Sequence, residues 1–407
     1  MAISVKTNAL IGPAVTGDSA TTDPGFQPKG LIIFNGLQTA LGGATDAQWN
    51  LGVAGSTTTE RSAGWNSDNG TASSDVARQF STTQIIHNQT AGTATDNLTA
   101  TLTSFDATGF TLNFGTLTTT SPIYNYLALG GTDITNVATG SFSADTTTGS
   151  QAISGLGFQP DIVFLFMTLQ TVAGDANNNS QYGFGVMHSS GQWTFAGKAQ
   201  NAQATMNTSC MFFNNKCLAI PATTTNAVVW DASYTSMDSD GFTINIDTTD
   251  GTAFLIGYMA IKGGQWKVGT ETQKTSTGTK ATTGIGFTPV AVMFGSVCDT
   301  QTAGTADHNR QMFGVSTGAS QNTCLFAGDS DATANAVSST IMSSTKCLVM
   351  ATEAGASPTT QAEAVLSTFD SDGFTLDWTT ADATARVFGY VAIGANSTGG
   401  RRVFMIT

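Results

Sequence analysis

Four short motifs recur three times along the chain, in the same order and about 130 residues apart. A repeat of this period indicates one structural unit copied in tandem, so the fold must be an arrangement of three similar units. Each motif is short, but chance does not explain four of them in a constant order. Their first residues are Gly25, Gly157 and Gly286 for Gly-Phe-x-Pro; Gly52, Gly185 and Gly314 for Gly-Val; Asp106, Asp238 and Asp370 for Asp-x-x-Gly-Phe-Thr; and Tyr126, Tyr258 and Tyr390 for Tyr-x-Ala.

The residues around the motifs predict β-strands. An unbroken apolar run follows each Gly-Phe-x-Pro, as at 162–167, and such a short run is typical of a strand buried on both faces. The Asp-x-x-Gly turn leads into an alternating strand, in which Phe242, Ile244 and Ile246 share one face and polar residues the other. A period of two with one apolar face predicts a sheet that is half exposed to water.

These patterns predict an all-β fold of three tandem antiparallel β-sandwich domains, jelly-roll-like, that arose by internal triplication. No stretch of ten or more residues has a convincing helical period. We place the domains at 1–132, 133–264 and 265–407. Residues 401–407 follow Gly399-Gly400 where a fourth copy would begin, and we expect them to form a closing strand on an edge left open in the array.

Composition narrows the function classes. Charged residues make up 11% of the chain, net charge is −13, and no basic cluster exceeds Arg401-Arg402, which argues against a nucleic-acid partner. No apolar stretch reaches the length of a membrane helix, and the first residues lack the apolar core of a signal peptide. We therefore expect no membrane partner and synthesis in the cytoplasm.

No residue pattern predicts a catalytic site. Residues 314–318 match Gly-x-Ser-x-Gly, but a nucleophile elbow needs a helix after its turn. A further apolar strand follows here instead, so we interpret the match as a hairpin turn. The four glutamates are scattered, and nothing selects a pair of aspartates for glycoside hydrolysis. The sequence predicts no catalytic residue and no enzyme.

Metal and cofactor sites are likewise not predicted. The five cysteines are odd in number and lack a C-x-x-C spacing, and we interpret Cys217 and Cys347 as buried apolar residues. We expect the histidines His87, His188 and His308 to be exposed or in loops, because they occupy different repeat positions. Asp-Ser-Asp-Gly at 238–241 and 370–373 favours a turn held by aspartate hydrogen bonds; a weak calcium site is the alternative.

Two features bear on binding. The six tryptophans favour core or interface packing, although exposed ones would suit stacking on sugars. The polar segments 38–48, 170–181 and 300–310 differ between copies more than their surroundings do. Divergent loops on a repeated scaffold often carry contact specificity, and neutral drift is an equal alternative.

The motif Gly-Phe-Gln-Pro-Asp-Ile-Val at 157–163 and the later Phe-Asp-Ser-Asp-Gly-Phe-Thr-Leu at 369–376 resemble virion structural proteins of tailed bacteriophages. In that family a Gly-Phe-x-Pro-Asp strand opens a lectin-like sandwich, and the Asp-Ser-Asp-Gly-Phe hairpin lies near its end. The resemblance extends over all three copies. The sequence departs from it at Lys29 and Val290, which replace the aspartate after the proline.

The resemblance implies a virion surface protein. We expect a capsid decoration or cement protein whose three repeats act as a pseudo-trimer, with the major capsid protein or other virion proteins as partners. The alternative arrangement is that the three copies lie in a row. The alternative is a tail-associated adhesin that attaches to host surface glycans, for which an exposed aromatic cluster would be the discriminating feature.

Overall fold

The computed structural model describes residues 3–176, 178–353 and 358–396, and these residues form strands and connections with no helix among them. The predicted all-β fold class is confirmed. The proposed closing strand at 401–407 lies outside the described residues. In the first repeat the strands are β1 (Ile3–Ile11), β2 (Gly17–Thr21), β3 (Pro28–Gln38), β4 (Gly42–Thr45), β5 (Ala47–Ala54), β6 (Arg61–Ser67), β7 (Val76–Ser81), β8 (Ile86–Gln89), β9 (Asp96–Asp106), β10 (Gly109–Leu117) and β11 (Ile123–Gly131).

The second and third repeats contain strands in equivalent positions. The second has β12 (Ile134–Ser143), β13 (Gly149–Ser154), β14 (Ile162–Met167), β15 (Gly174–Ala176), β16 (Asn179–His188), β17 (Gly191–Gln200), β18 (Thr208–Phe213), β19 (Leu218–Pro221), β20 (Val228–Asp238), β21 (Gly241–Thr248) and β22 (Leu255–Gly263). The third has β23 (Gln265–Thr272), β24 (Gly278–Thr283), β25 (Ala291–Ser296), β26 (Ala303–Asp307), β27 (Asn309–Gly318), β28 (Gln321–Asp329), β29 (Ser338–Ser343), β30 (Leu348–Thr352), β31 (Thr359–Asp370), β32 (Gly373–Thr380) and β33 (Val387–Gly394).

Each repeat contributes a four-stranded sheet and most of a seven-stranded sheet, which together make one antiparallel sandwich. The small sheets have the orders β2-β10-β9-β8, β13-β21-β20-β19 and β24-β32-β31-β30. The alternating strands supply their inner faces: Phe242, Ile244 and Ile246 are all fully buried, as their period of two predicts.

The seventh strand of each large sheet comes from another repeat. β4 of the first repeat pairs with β29 of the third, β15 of the second with β7 of the first, and β26 of the third with β18 of the second. The exchange is cyclic and therefore closes into a ring. These strands lie in the segments interpreted above as divergent loops, and their residues pair through the backbone instead of lying free.

The outer faces of the large sheets form a common core at the centre of this ring. One apolar cluster contains residues of all three repeats, whereas the core of each sandwich belongs to one repeat. Phe313 of the third repeat packs edge-on against Phe34 of the first and Phe184 of the second, with ring centroids 4.9 and 5.4 Å apart. Burial on both faces of the large-sheet strands follows from this arrangement.

Truncating Phe313 to alanine is expected to cost about 3 kcal/mol of unfolding free energy, because it leaves a cavity where three repeats meet. Chemical denaturation of the full chain measures this loss. Phe369, which is only partly buried beside the core of the third sandwich, is the matched control, and Phe369→Ala should cost less than half as much. A loss below about 1 kcal/mol for Phe313→Ala would contradict a shared core.

The Gly-Val motif has a steric explanation. A Cβ on Gly185 would lie 1.9 Å from the carbonyl oxygen of Cys217, and the same holds for Gly314 and Cys347. The backbones of the two sheets therefore approach closely at this glycine, and no side chain fits there. Cys217 and Cys347 themselves are fully buried, as predicted, and burial raises the pKa of both thiols.

Candidate functional site

Three equivalent loops, one from each repeat, bind to one another in a circle. We call them the axial loops: residues 68–75, 201–207 and 330–337. Each joins two strands of a large sheet. Each loop exchanges two backbone hydrogen bonds with the next, so that six bonds close a circle around the pseudo-three-fold axis. The bonds are Ala202 N to Ser74 O (2.8 Å), Ser74 N to Gln203 O (2.9 Å), Ala332 N to Met206 O (3.0 Å), Met206 N to Thr333 O (2.9 Å), Gly70 N to Ala336 O (2.8 Å) and Ala336 N to Thr71 O (3.0 Å).

The exposed residues of the axial loops are small and uncharged. They are Gly70, Ala72 and Ser73 in the first loop; Ala202, Ala204 and Thr205 in the second; and Ala332, Ala334 and Asn335 in the third. Ser74, Met206 and Ala336 are buried beneath them. The axial loops thus present a surface with near-three-fold symmetry, and its backbone is fixed by hydrogen bonds.

Buried side chains reinforce the contacts between repeats. Trp65 Nε1 donates to Gln311 Oε1 at 3.0 Å, and Trp193 Nε1 donates to the Tyr390 carbonyl at 3.1 Å. Arg78 in the first repeat donates to Gln181 in the second. Since each of these bonds joins two repeats, the mutual orientation of the sandwiches is set by polar as well as apolar contacts.

The Asp-x-x-Gly motif is a turn, as predicted, and it joins two of the repeated motifs. Asp240 accepts hydrogen bonds from the backbone N–H groups of Gly155 and Gly157, at 3.1 and 2.5 Å. Asp238 accepts from the Thr243 hydroxyl at 2.6 Å. Asp372 repeats the first pattern in the third repeat. These carboxylates are engaged in protein hydrogen bonds, which supports the turn interpretation over a calcium loop.

The aspartate of Gly-Phe-x-Pro-Asp holds a connection between repeats. Asp161 accepts from Lys262 Nζ at 2.9 Å and from the Gly263 N–H at 2.6 Å. At the equivalent position Lys29 donates to the Ile134 carbonyl at 2.7 Å. Although its charge is reversed, Lys29 also holds the start of the following repeat.

The candidate nucleophile lies in a hairpin. Ser316 is at the end of β27, its hydroxyl donates to the Gly318 carbonyl at 3.2 Å, and β28 follows directly. No helix follows the serine, which agrees with the hairpin prediction. A surface cleft of about 470 Å³ lies beside the segment 36–48. Asp46 is the single ionisable group among its described lining residues, so the cleft contains no acid–base pair.

The histidine prediction was wrong for one of the three residues. His188 is at the end of β16 and His308 in a connection, and both are partly exposed. His87, by contrast, is buried in β8 with 5% of its surface exposed. A histidine directly after the apolar pair Ile85-Ile86 was the sequence signal for this burial.

All six tryptophans are buried: Trp49, Trp65, Trp193, Trp230, Trp266 and Trp378. This confirms the prediction of core or interface packing. None of them forms a surface platform for sugar rings.

Comparisons with known proteins identify no family for this chain. No family model matches it, and no curated protein matches it. A solved structure of the mouse laminin alpha1 chain, domains LG4-5, aligns at 10% identity over 63% of this chain and 84% of that chain. Its TM-score is 0.10, which is far below the level that indicates a common fold.

Proposed function

We propose that this chain is a non-enzymatic structural protein of a tailed-phage virion, and specifically a capsid decoration protein that binds at a three-fold or quasi-three-fold point of the shell. The observation that carries the proposal is the cyclic exchange of β4, β15 and β26. It makes one chain equivalent to a closed trimer, which can offer three similar contacts to three symmetry-related neighbours.

The axial loops are the surface that we assign to shell binding. Their most exposed residues are short and uncharged, so docking would restrict few rotamers, whereas the loop carboxylates of Asp68, Asp75 and Asp331 are partly buried. Their backbone is already held by six hydrogen bonds. A surface that is already ordered loses little conformational entropy on binding, so more of the favourable contact energy appears in the binding free energy.

The adhesin alternative lacks comparable support, since the tryptophans that would favour sugar stacking are buried. A non-enzymatic role is supported by the hairpin position of Ser316 and by the cleft beside 36–48, whose lining has no acid–base pair among the described residues.

Immunogold labelling of intact particles with an antibody to this chain tests the location. Gold spread over the head is the expected result, and image reconstruction should then place density at three-fold positions. Gold confined to the tail tip would overturn decoration in favour of the adhesin. Absence of gold from every particle would overturn the virion role itself.

Charge substitutions test the binding surface. A triple variant places three cations on the axial loops: Ala72→Arg, Ala204→Arg and Ala334→Arg. We expect this variant to lose binding to phage heads that have been stripped of this protein. Its melting temperature should be unchanged. Ala20, Ala152 and Ala281 are three equally exposed alanines at equivalent positions on edge strands of the small sheets. The same arginine substitutions there should leave binding intact. Equal loss of binding by both triple variants would refute the assignment.

A further inference from the structure

Three ionisable side chains from two repeats meet where β15 joins the first repeat. His87 is on β8, Asp96 is the first residue of β9, and Asp175 is the central residue of the exchanged strand β15. His87 Nε2 lies 2.7 Å from Asp96 Oδ1 and 3.2 Å from Asp175 Oδ1. One ring nitrogen therefore faces two carboxylates that are brought together only by the strand exchange.

The surroundings direct the imidazole toward the carboxylates. The His87 side chain is 7% exposed, and its Nδ1 has no hydrogen-bond partner within the described structure, so Nε2 makes all of its polar contacts. Gln89 is fully buried, and its side chain lies next to Asp175. The carboxylates of Asp96 and Asp175 are 38% and 29% exposed, which leaves one side of the cluster open to water.

The two carboxylates lack a permanent counter-charge. In the described part of the chain, no lysine or arginine forms an ion pair with Asp96 or Asp175. Two carboxylates this close repel each other, and a proton on the cluster or a bound metal ion would relieve that repulsion.

We propose that His87, Asp96 and Asp175 bind one divalent transition-metal ion, with Zn²⁺ as the reference ion. One imidazole nitrogen and two carboxylate oxygens are a ligand set that suits Zn²⁺ and its first-row neighbours, whereas Ca²⁺ and Mg²⁺ prefer oxygen ligands alone. The ligand atoms all lie within 4.8 Å of one another. The open side leaves room for water as a further ligand.

The ion would fasten the exchanged strand of the second repeat to the first. β15 is only three residues long, and its pairing with β7 extends over Gly174, Asp175 and Ala176. A metal bond to Asp175 would therefore add substantially to the strand's attachment. This role does not depend on the virion proposal.

The site is expected once per chain, because the other repeats lack its ligands. Equivalent positions in the strand ladders are Ala219 and Val349 for His87, Val228 and Thr360 for Asp96, and Gly43 and Thr305 for Asp175. None of these side chains is a usual zinc ligand.

Isothermal titration of the chelator-treated full chain with Zn²⁺ tests the proposal. We expect one ion per chain and a higher melting temperature in Zn²⁺ than in chelator. Asp175→Asn and His87→Gln should each weaken binding at least about tenfold, which is within the range that loss of a metal-site contact produces. His188→Ala is the control and should bind as the unmodified chain does.

Two results would overturn the metal site. One is no binding of Zn²⁺ or Mn²⁺ by the folded chain, which would leave a proton as the cation of the cluster. The other is a one-to-one stoichiometry that persists unchanged in Asp175→Asn and His87→Gln. If His87→Gln fails to fold, as judged by circular dichroism in chelator, Asp96→Asn takes its place, since the Asp96 side chain is partly exposed.

Discussion

Residues 133–264 expressed as a separate chain should give no monomer with a cooperative unfolding transition. Alone, this repeat lacks the edge strand β26 that pairs with β18. It also exposes the apolar face that holds Phe164, Phe184 and Trp193, all of which are fully buried in the intact chain. Exposing a face of this size removes stabilisation comparable to the whole net stability of a domain.

Analytical ultracentrifugation combined with thermal melting checks this expectation. A homotrimer would agree with the cyclic exchange, because each copy could then donate its edge strand to the next. The control is the full chain cleaved at the connection around Gly264 after folding, which should keep its sedimentation coefficient. A monomeric 133–264 that melts as sharply as the full chain would show that the sandwiches are independent domains.

Stability is expected to fall as pH rises from 5 to 8, by roughly 5 kcal/mol in total. Burial raises the pKa of both Glu60 and Asp329 to about 7. A carboxyl whose pKa is higher in the folded state stabilises it fully below the unfolded pKa, near 4, and this stabilisation is lost as pH rises through 7. The lowered pKa of His188 has the opposite sign, and it offsets part of the trend below pH 6.5.

Denaturation at a series of pH values, in chelator and at constant ionic strength, measures the trend. Glu60→Gln and Asp329→Asn should each flatten it by about half. Glutamine is a natural replacement for Glu60, because Gln192 in the second repeat makes the same bond: Glu60 accepts from Leu102 N and Gln192 from Tyr234 N, both at 2.7 Å. A stability that is constant or rises between pH 5 and 8 would contradict the assignment to these two carboxyls.

The strands could be predicted from sequence because each has a local pattern. The alternation at Phe242, Ile244 and Ile246 indicated the inner face of the small sheet, and the run 162–167 indicated a strand buried on both faces. The second pattern, a strand that is apolar on both faces, is not explained by a two-layer sandwich alone. A two-layer sandwich covers only one face of each sheet, so the apolar outer face already required a further packing partner, which the shared core provides.

The strand exchange could not be predicted in the same way. β4, β15 and β26 are short and polar, and a Gly-x-Ala pattern, as in Gly174-Asp175-Ala176, is all that they share. Edge strands pair through backbone N–H and C=O groups, so the pairing requires no particular side-chain pattern in the sequence. The cluster of His87, Asp96 and Asp175 was missed for the same reason, since no spacing along the chain indicates a contact that the exchange creates.

The pairing of β4 with β29 also determines when the ring can close during synthesis. Thr45 pairs with Ser339, so the partner of β4 is made about 300 residues later. At 5–20 residues per second a ribosome needs roughly 15 to 60 seconds for that interval. Throughout it β4 has no partner strand and the shared apolar face is not fully covered, and such features recruit chaperones or neighbouring nascent chains. Translation speed and holdase capacity should therefore limit the yield of folded protein more than final stability does.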